Sequence, residues 1–256
     1  MRQGQFRRTA GPELLRDGPA MARQNETLSR IELFRSLSPD AIERLDTRCI
    51  WRRAHAKEWI IDYQDESTDV FFLISGLARV MIRSISGRET ILRDIDAGAF
   101  FGELAAIDGR TRSASILAVT DTTIAKMSAA VFLETVTGHP DVCLQLLRLV
   151  TSQVRMLSTR VNEFTTLAIR ERLIMELLRL SKSSRGDPRE AIVSPPPVHG
   201  DLAGRISTRR ETVTKELSAL ERDGLVRRGR GALTLVDVPR LLGMLGQEAD
   251  AQDFKA

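Results

Sequence analysis

The chain has 256 residues, 42% of them hydrophobic and 28% charged, with 38 Lys and Arg against 34 Asp and Glu for a net charge of +4. That length suits one large or two modest domains of ordinary soluble composition, and no apolar run is long enough to span a bilayer, so the cytoplasm is the expected location and no membrane partner is expected. Cys49 and Cys143 stand far apart with no Cys-x-x-Cys, and His55, His139 and His199 form no ligand spacing, which argues against a disulfide framework, a zinc site, an iron–sulfur cluster or any other metal.

Residues 1–22 are polar, with scattered Gly and Pro. Arg2, Arg7, Arg8 and Arg16 have no apolar core behind them, so the stretch reads as a disordered arm rather than a signal peptide. Met21 is an alternative start. Leu28, Ile31, Leu33, Phe34, Leu37, Ile42 and Leu45 suit short helices, with Ser38-Pro39-Asp40 as a helix start. From Ile50 to Met127 the pattern changes to strands. Short runs lie at 59–61, 70–74, 78–82, 89–92, 114–119 and 122–126, and Ser86-Gly87 signals a hairpin turn. Many short strands at near-regular spacing suggest a barrel or jelly-roll.

Inside this array lies Phe101–Ser115, which reads as a pocket for a ribose and a phosphate. Gly102 lets the backbone turn and approach a ligand closely. Glu103, Leu104 and Ala105 begin a helical turn whose free N–H groups suit an anion. Glu103 can accept from a ribose hydroxyl, Arg112 can pair with a phosphate through its planar fork, and Ser113 adds a hydroxyl.

Gly138 to Asp141 starts the longest helix, with Pro140 in its first turn. Cys143, Leu147, Val150, Val154, Leu157, Val161 and Phe164 then alternate by four and three, a heptad seam that predicts a homodimer. Leu144, Leu146 and Leu149 lie beside the seam, placed to meet the strand domain. A second helix over 168–180 follows a hinge near Thr165 to Ile169. After a polar stretch and Pro195-Pro196-Pro197, Leu202, Ala203 and Ile206 give a short helix its apolar face. A turn at Ser207 leads to a second helix, with Thr208 as cap and Glu211 reaching back to it. That helix buries Val213, Leu217 and Leu220 and displays Arg209, Arg210, Thr214 and Lys215. Arg227 to Gly231 makes a basic hairpin whose Arg228 and Arg230 suit phosphates. Two short helices, a tight turn and a basic second helix are helix-turn-helix grammar, and double-stranded DNA is the expected partner.

Two resemblances coincide on these residues. Gly102, Glu103, Leu104, Ala105, Arg112, Ser113 and Ala114 resemble, in order and spacing, the phosphate-binding cassette of cyclic-nucleotide-binding domains. Arg210-Glu211-Thr212-Val213 with Lys215 resembles the recognition helix of the Crp–Fnr transcription regulators. Together they imply an α+β chain. An arm (1–22) precedes a cyclic-nucleotide-binding β-roll (23–137), a dimerisation helix (138–166), a winged helix-turn-helix (167–245) and a tail (246–256). They imply a cyclic nucleotide as effector, cAMP ranked before cGMP, with its base facing Leu157 and Ser158. A threonine stands at the position of Leu157 in the well-known cAMP-responsive members. They also imply RNA polymerase as a partner, Arg210 reading a guanine and Glu211 accepting from a cytosine amino group. Lys215 stands where arginine is familiar and cannot make the same bidentate contact. Ser207 stands where a turn glycine is common. No nucleophile–base pair accompanies Glu103 and Arg112, so no enzyme is expected. A regulator that binds DNA without nucleotide, its cassette kept as structure, is the alternative.

Overall fold

The computed structural model describes residues 26–83, 89–184 and 186–245. The expected arm, the tail and the Ser86-Gly87 turn lie outside the described residues. The chain divides into two compact units. One gathers the chain up to Met81 with Arg93–Leu149, and the other gathers Ile82–Leu92 with the chain from Val150 onward.

The first unit opens on two 3-10 turns, Leu28–Arg30 and Glu32–Phe34, and helix α1 (Pro39–Asp46). Ser38 caps α1 and Pro39 stands in its first turn, where a missing N–H costs nothing. Strands β1 (Ile50–Ala54), β3 (Val70–Ser75), β6 (Phe100–Phe101) and β8 (Thr122–Met127) form one antiparallel sheet in the order β1-β8-β3-β6. The strands β2 (Trp59–Ile61), β4 (Leu77–Arg83), β5 (Glu89–Asp96) and β7 (Ser115–Ala118) form the other, in the order β2-β7-β4-β5. Five successive residues of β3, Val70 to Ile74, are buried, so this strand is covered on both faces. Phe34, from the second 3-10 turn, packs its ring 5.0 Å from that of Phe72. In this unit two strands, β1 and β6, escape the runs read from sequence alone, as does the helix α3 (Ala129–Gly138), which Ser128 caps through Val131 N–H. In β1 the charged Arg52 and Arg53 mask the strand signal, although the whole run pairs with β8 from Ile50↔Lys126 to Ala54↔Thr122.

Helix α4 (Pro140–Thr166) runs 27 residues, as the heptads predict. Val142 and Leu146 are buried, and buried Gln145 donates to Glu32 at 3.1 Å. Leu147, Val154, Leu157 and Val161 are 59%, 57%, 41% and 62% exposed, a bare apolar row at four of the seven predicted seam positions, while Cys143 and Val150 are half-buried. Two expectations fail. Leu144 is solvent-exposed rather than packed inward, because Val142 and Leu146 already fill the inward face. Phe164 does not continue the bare row, since its ring lies 5.8 Å beneath the guanidinium groups of both Arg160 and Arg172.

The second unit holds the rest of α4, then α5 (Ile169–Leu180), β9 (Lys182–Ser183), β10 (Ala191–Val193), α6 (His199–Arg205), α7 (Arg210–Arg222), β11 (Val226–Gly229), β12 (Ala232–Leu235) and α8 (Val238–Gly243). The four strands form one sheet in the order β11-β12-β10-β9. Leu173, Leu177, Leu202, Ile206, Val213, Leu217, Leu220 and Leu235 make its core. At the predicted junction α4 stops at Thr166 and Ala168 turns extended before α5 starts. Glu171 accepts from Ala168 N–H at 2.7 Å, closing the N-terminus of α5. A charged cluster bridges this break. Arg160 donates to Glu176 at 2.8 Å, and Arg179 donates to both Glu163 and Glu176 at 2.6 Å. Arg205 of α6 reaches Glu176 at 3.4 Å. Glu176 is fully buried and Glu163 is 4% exposed.

Candidate functional site

The cassette is built as a close fit around one arginine. Gly102 sits at φ 88°, the left-handed conformation, at the N-terminus of α2 (Glu103–Asp108). A Cβ there would stand 2.7 Å from Arg112 Nη1 and 3.0 Å from the Asp69 carbonyl, so glycine is required by both conformation and space. Glu103 and Ala105 are buried, whereas Leu104 and Ser113 point to solvent. Arg112 is 3% exposed. Its Nη1 donates to Gly102 O at 2.8 Å and its Nη2 to Asp69 O at 2.7 Å. Nε and Nη2 both donate to Ser67 Oγ, at 3.1 and 3.0 Å. Burial pulls the Arg112 pKa below the usual guanidinium range, while Asp65, Asp69 and Glu103 pull it back.

Four of the five Arg112 N–H groups are thus engaged by protein. The edge of the guanidinium that would receive two phosphate oxygens is occupied by one serine hydroxyl. The fork expected to pair with a phosphate is thus engaged by the protein itself. A bidentate phosphate contact through Nε and Nη2 requires Ser67 to yield. Sequence reasoning missed Ser67, Asp65 and Asp69, all in the polar loop between β2 and β3. The signal was its run of acidic and hydroxyl residues between two apolar strands. Asp65 also accepts from Ser67 N–H at 2.6 Å and its carbonyl accepts from Arg112 N–H at 2.9 Å, so loop and cassette form one network. Arg93 on β5 was missed as well. Burial lowers its pKa and the nearby Glu103 carboxylate opposes that shift. Leu157 and Ser158 lie on α4 in the second unit. Leu157 is exposed, and the Ser158 hydroxyl donates to Val154 O at 2.9 Å, which leaves only its lone pairs for a ligand.

In the second unit Ser207 takes φ 52°, the strained left-handed turn expected where glycine is common. The expected capping box does not form. Thr208 N–H bonds back to Ala203 O at 2.9 Å, which keeps Thr208 in the turn, and α7 begins two residues later with Arg209 as an extended N-cap. Glu211 therefore falls in the first turn, exposed, rather than at the reach-back position. Val213, Leu217 and Leu220 are buried; Arg209, Arg210, Glu211, Thr214 and Lys215 are exposed. Thr214 Oγ1 donates to Arg210 O at 3.0 Å and meets His199 Nδ1 at 2.8 Å, a contact that sequence reasoning did not find. The basic hairpin is β11–β12, with Gly231 at φ 77°. Arg228 stands 3.4 Å from Glu221 in a half-exposed pair of little energetic weight, and Arg230 is exposed at the tip. Among the described residues no group of His, Cys, Asp and Glu could hold a metal ion, and no helix is long and apolar enough to cross a membrane.

Comparison with known proteins agrees with this division. Residues 51–139 match the cyclic nucleotide-binding domain family and residues 171–244 the Crp-like helix-turn-helix domain family. The chain is 30% identical over 202 residues to the cyclic AMP receptor protein of Thermus thermophilus, covering 78% of this chain and 90% of that one. It is 25% identical over 209 residues to the cAMP-activated global transcriptional regulator CRP of Haemophilus influenzae, covering 79% and 93%. In fold it is similar to a CooA mutant from Carboxydothermus hydrogenoformans, with TM-score 0.70, 22% identity and coverage of 84% and 94%. It is also similar to the c-di-GMP responsive regulator CLP of Xanthomonas campestris, with TM-score 0.68, 20% identity and coverage of 77% and 99%. A strand-built nucleotide-binding unit, a long helix and a helix-turn-helix, together with these matches, mean that the chain belongs to the Crp–Fnr family of DNA-binding transcription regulators.

Proposed function

We propose that the chain is a homodimeric transcription regulator whose DNA affinity is set by a cyclic nucleotide, cAMP first and cGMP second. The observation that carries this reading is the built cassette. A left-handed glycine, a buried Glu103 and a buried Arg112 are drawn together around one loop. Glu103 accepts from the ribose, and Arg112 with Ser113 holds the cyclic phosphate once the Ser67 hydroxyl swings off the guanidinium edge. Leu104 and Ala105 shape the turn between them. Leu157 and Ser158 face the base, and the absence of a donor on Leu157 is why cGMP stays in contention. The names of the relatives in Thermus and Haemophilus favour cAMP.

In the same reading 23–137 is the sensor, 138–166 the dimerisation helix and 167–245 the DNA-binding domain. The bare row Leu147, Val154, Leu157 and Val161 is what a second copy would cover. Arg210 and Glu211 read bases, Lys215 faces a base without the bidentate contact an arginine would make, Arg228 and Arg230 take phosphates, and Thr208, Arg209 and Thr214 complete the surface. Transcription control by this family makes RNA polymerase the natural further partner. Nucleotide can bias DNA binding only by its differential affinity for two states of the dimer. The test is DNA binding titrated with cAMP and cGMP, on wild type and Arg112→Ala. Nucleotide should tighten the wild-type complex and leave the variant unchanged.

One observation favours a second reading, a regulator that needs no nucleotide. Arg112 is already satisfied by Gly102, Asp69 and Ser67, as a structural arginine would be. Calorimetry showing no heat with either nucleotide, alongside intact DNA binding, would select it.

A further inference from the structure

Beside the exposed face of α7 stands a titratable group with no part in the reading above. His199, the first residue of α6, places Nδ1 2.8 Å from Thr214 Oγ1. That hydroxyl donates its single proton to Arg210 O at 3.0 Å. If the proton went to the imidazole instead, two acceptors would face each other at that distance. The arrangement that satisfies both contacts has Thr214 offering the ring its lone pairs and Nδ1 carrying the hydrogen. The state of the other nitrogen follows. In the neutral ring Nε2 is a bare acceptor, repelled by a phosphate oxygen. In the imidazolium it is a second donor, suited to one.

Thr214 is exposed on the same helix as Arg210 and Lys215, with Arg209 at its N-cap, so the ring stands at the edge of the surface offered to DNA. We infer that His199 is a proton-linked DNA contact, which takes a proton from solvent on Nε2 when a backbone phosphate settles beside it and so makes DNA affinity rise as pH falls. The charged surroundings supply the linkage. Burial, Arg228 of the wing and Arg210 of α7 all push the imidazole below its ordinary pKa of 6.5 in the free chain. The acidic groups on the same two helices nearest in sequence are Asp201 and Glu211. A base edge taken up by Arg210 and a phosphate by Arg228 offset their repulsion, and the phosphate beside the ring adds attraction of its own, so the bound chain holds the proton more tightly than the free one. Between the free and bound pKa values, each pH unit downward then tightens binding by at most about tenfold, and outside that window affinity is flat.

The experiment is fluorescence anisotropy of the full chain with a labelled duplex of mixed sequence, from about pH 8 to about pH 5.5 at fixed ionic strength. Wild type should tighten several-fold as pH falls. His199→Gln, which keeps a donor for Thr214 but cannot titrate, should lose that dependence. His199→Arg, permanently charged, should bind tightly and flatly. His55 and His139 remain in every variant, so their background is common to all. Calorimetry in two buffers of different ionisation enthalpy should show proton uptake by wild type that the Gln variant lacks. A Gln variant with the wild-type pH slope, or an Arg variant no tighter than Gln at the alkaline end, would overturn the inference. Arg210→Ala separates this failure from a misplaced DNA surface, since full affinity in that variant would indict the surface rather than the histidine.

Discussion

At the scale of single residues, the cassette turns on a competition for one guanidinium edge. Ser67 holds Nε and Nη2 of Arg112 through one oxygen, an arrangement weaker than two charged phosphate oxygens would make. Ser67→Ala removes the competitor, and nucleotide affinity should rise a few-fold in calorimetry; an unchanged or weaker affinity would mean that the hydroxyl helps the ligand instead. Gly102→Ala acts in the opposite direction. The new Cβ meets Arg112 Nη1 at 2.7 Å in a backbone conformation that costs an L-residue about 1–2 kcal/mol. Melting temperature and nucleotide affinity should both drop. The sequence announced Gly102, Glu103 and Arg112, because their order and spacing are local. It could not announce Ser67, which lies 45 residues from Arg112 and meets it only after β2 and β7 pair.

At the scale of elements, the joint between α4 and α5 depends on buried charge. Burial alone would raise the Glu176 pKa, but Arg160, Arg179 and Arg205 together outweigh it and leave it below the ordinary 4.5. A carboxylate with a depressed folded pKa stabilises the fold above its unfolded pKa, and the contribution is lost as pH falls through the folded value. The second unit should therefore lose stability in acid, below about pH 4.5, in a pH series of thermal melts. Glu176→Ala should flatten that acid limb. It leaves three guanidinium groups around a vacated carboxylate and should cost about 3–5 kcal/mol at neutral pH. None of this was legible beforehand. A glutamate in Leu173–Leu178, amid Leu, Ile and Met, reads as the polar side of an amphipathic helix, yet all six residues are buried. The exposed apolar row on α4 was legible, because a heptad is a local pattern. Its end was not, since Phe164 was claimed by Arg160 and Arg172. Val154→Asp, at a bare seam position, should shift sedimentation from dimer to monomer while leaving the melting of each unit nearly unchanged.

At the scale of the whole molecule, a net charge of +4 says little, because the basic groups that matter are clustered on α7 and the wing. DNA binding should weaken linearly with the logarithm of salt concentration, and Arg230→Ala should reduce the slope by about 0.9 for the one phosphate it releases. A slope unchanged by that substitution would remove the wing from the interface. The order of the parts was readable from the sequence because each part carries its own period: short strands, then heptads, then two short helices and a hairpin. Elements with little pattern of their own were not, such as the two-residue β6, which exists only by pairing with Phe71 and Phe72. The bridge of charges across Leu167 and Ala168 has one more consequence. A two-residue break would ordinarily absorb torsion, so that twisting the last turns of α4 would be dissipated there. With Arg160 and Glu163 on one side bound to Glu176 and Arg179 on the other, and Arg205 bound to the same carboxylate, the break is stiff in torsion. A rotation of the last turns of α4 about the helix axis should then carry α5 with it and, through Arg205, the helix α6 that precedes α7.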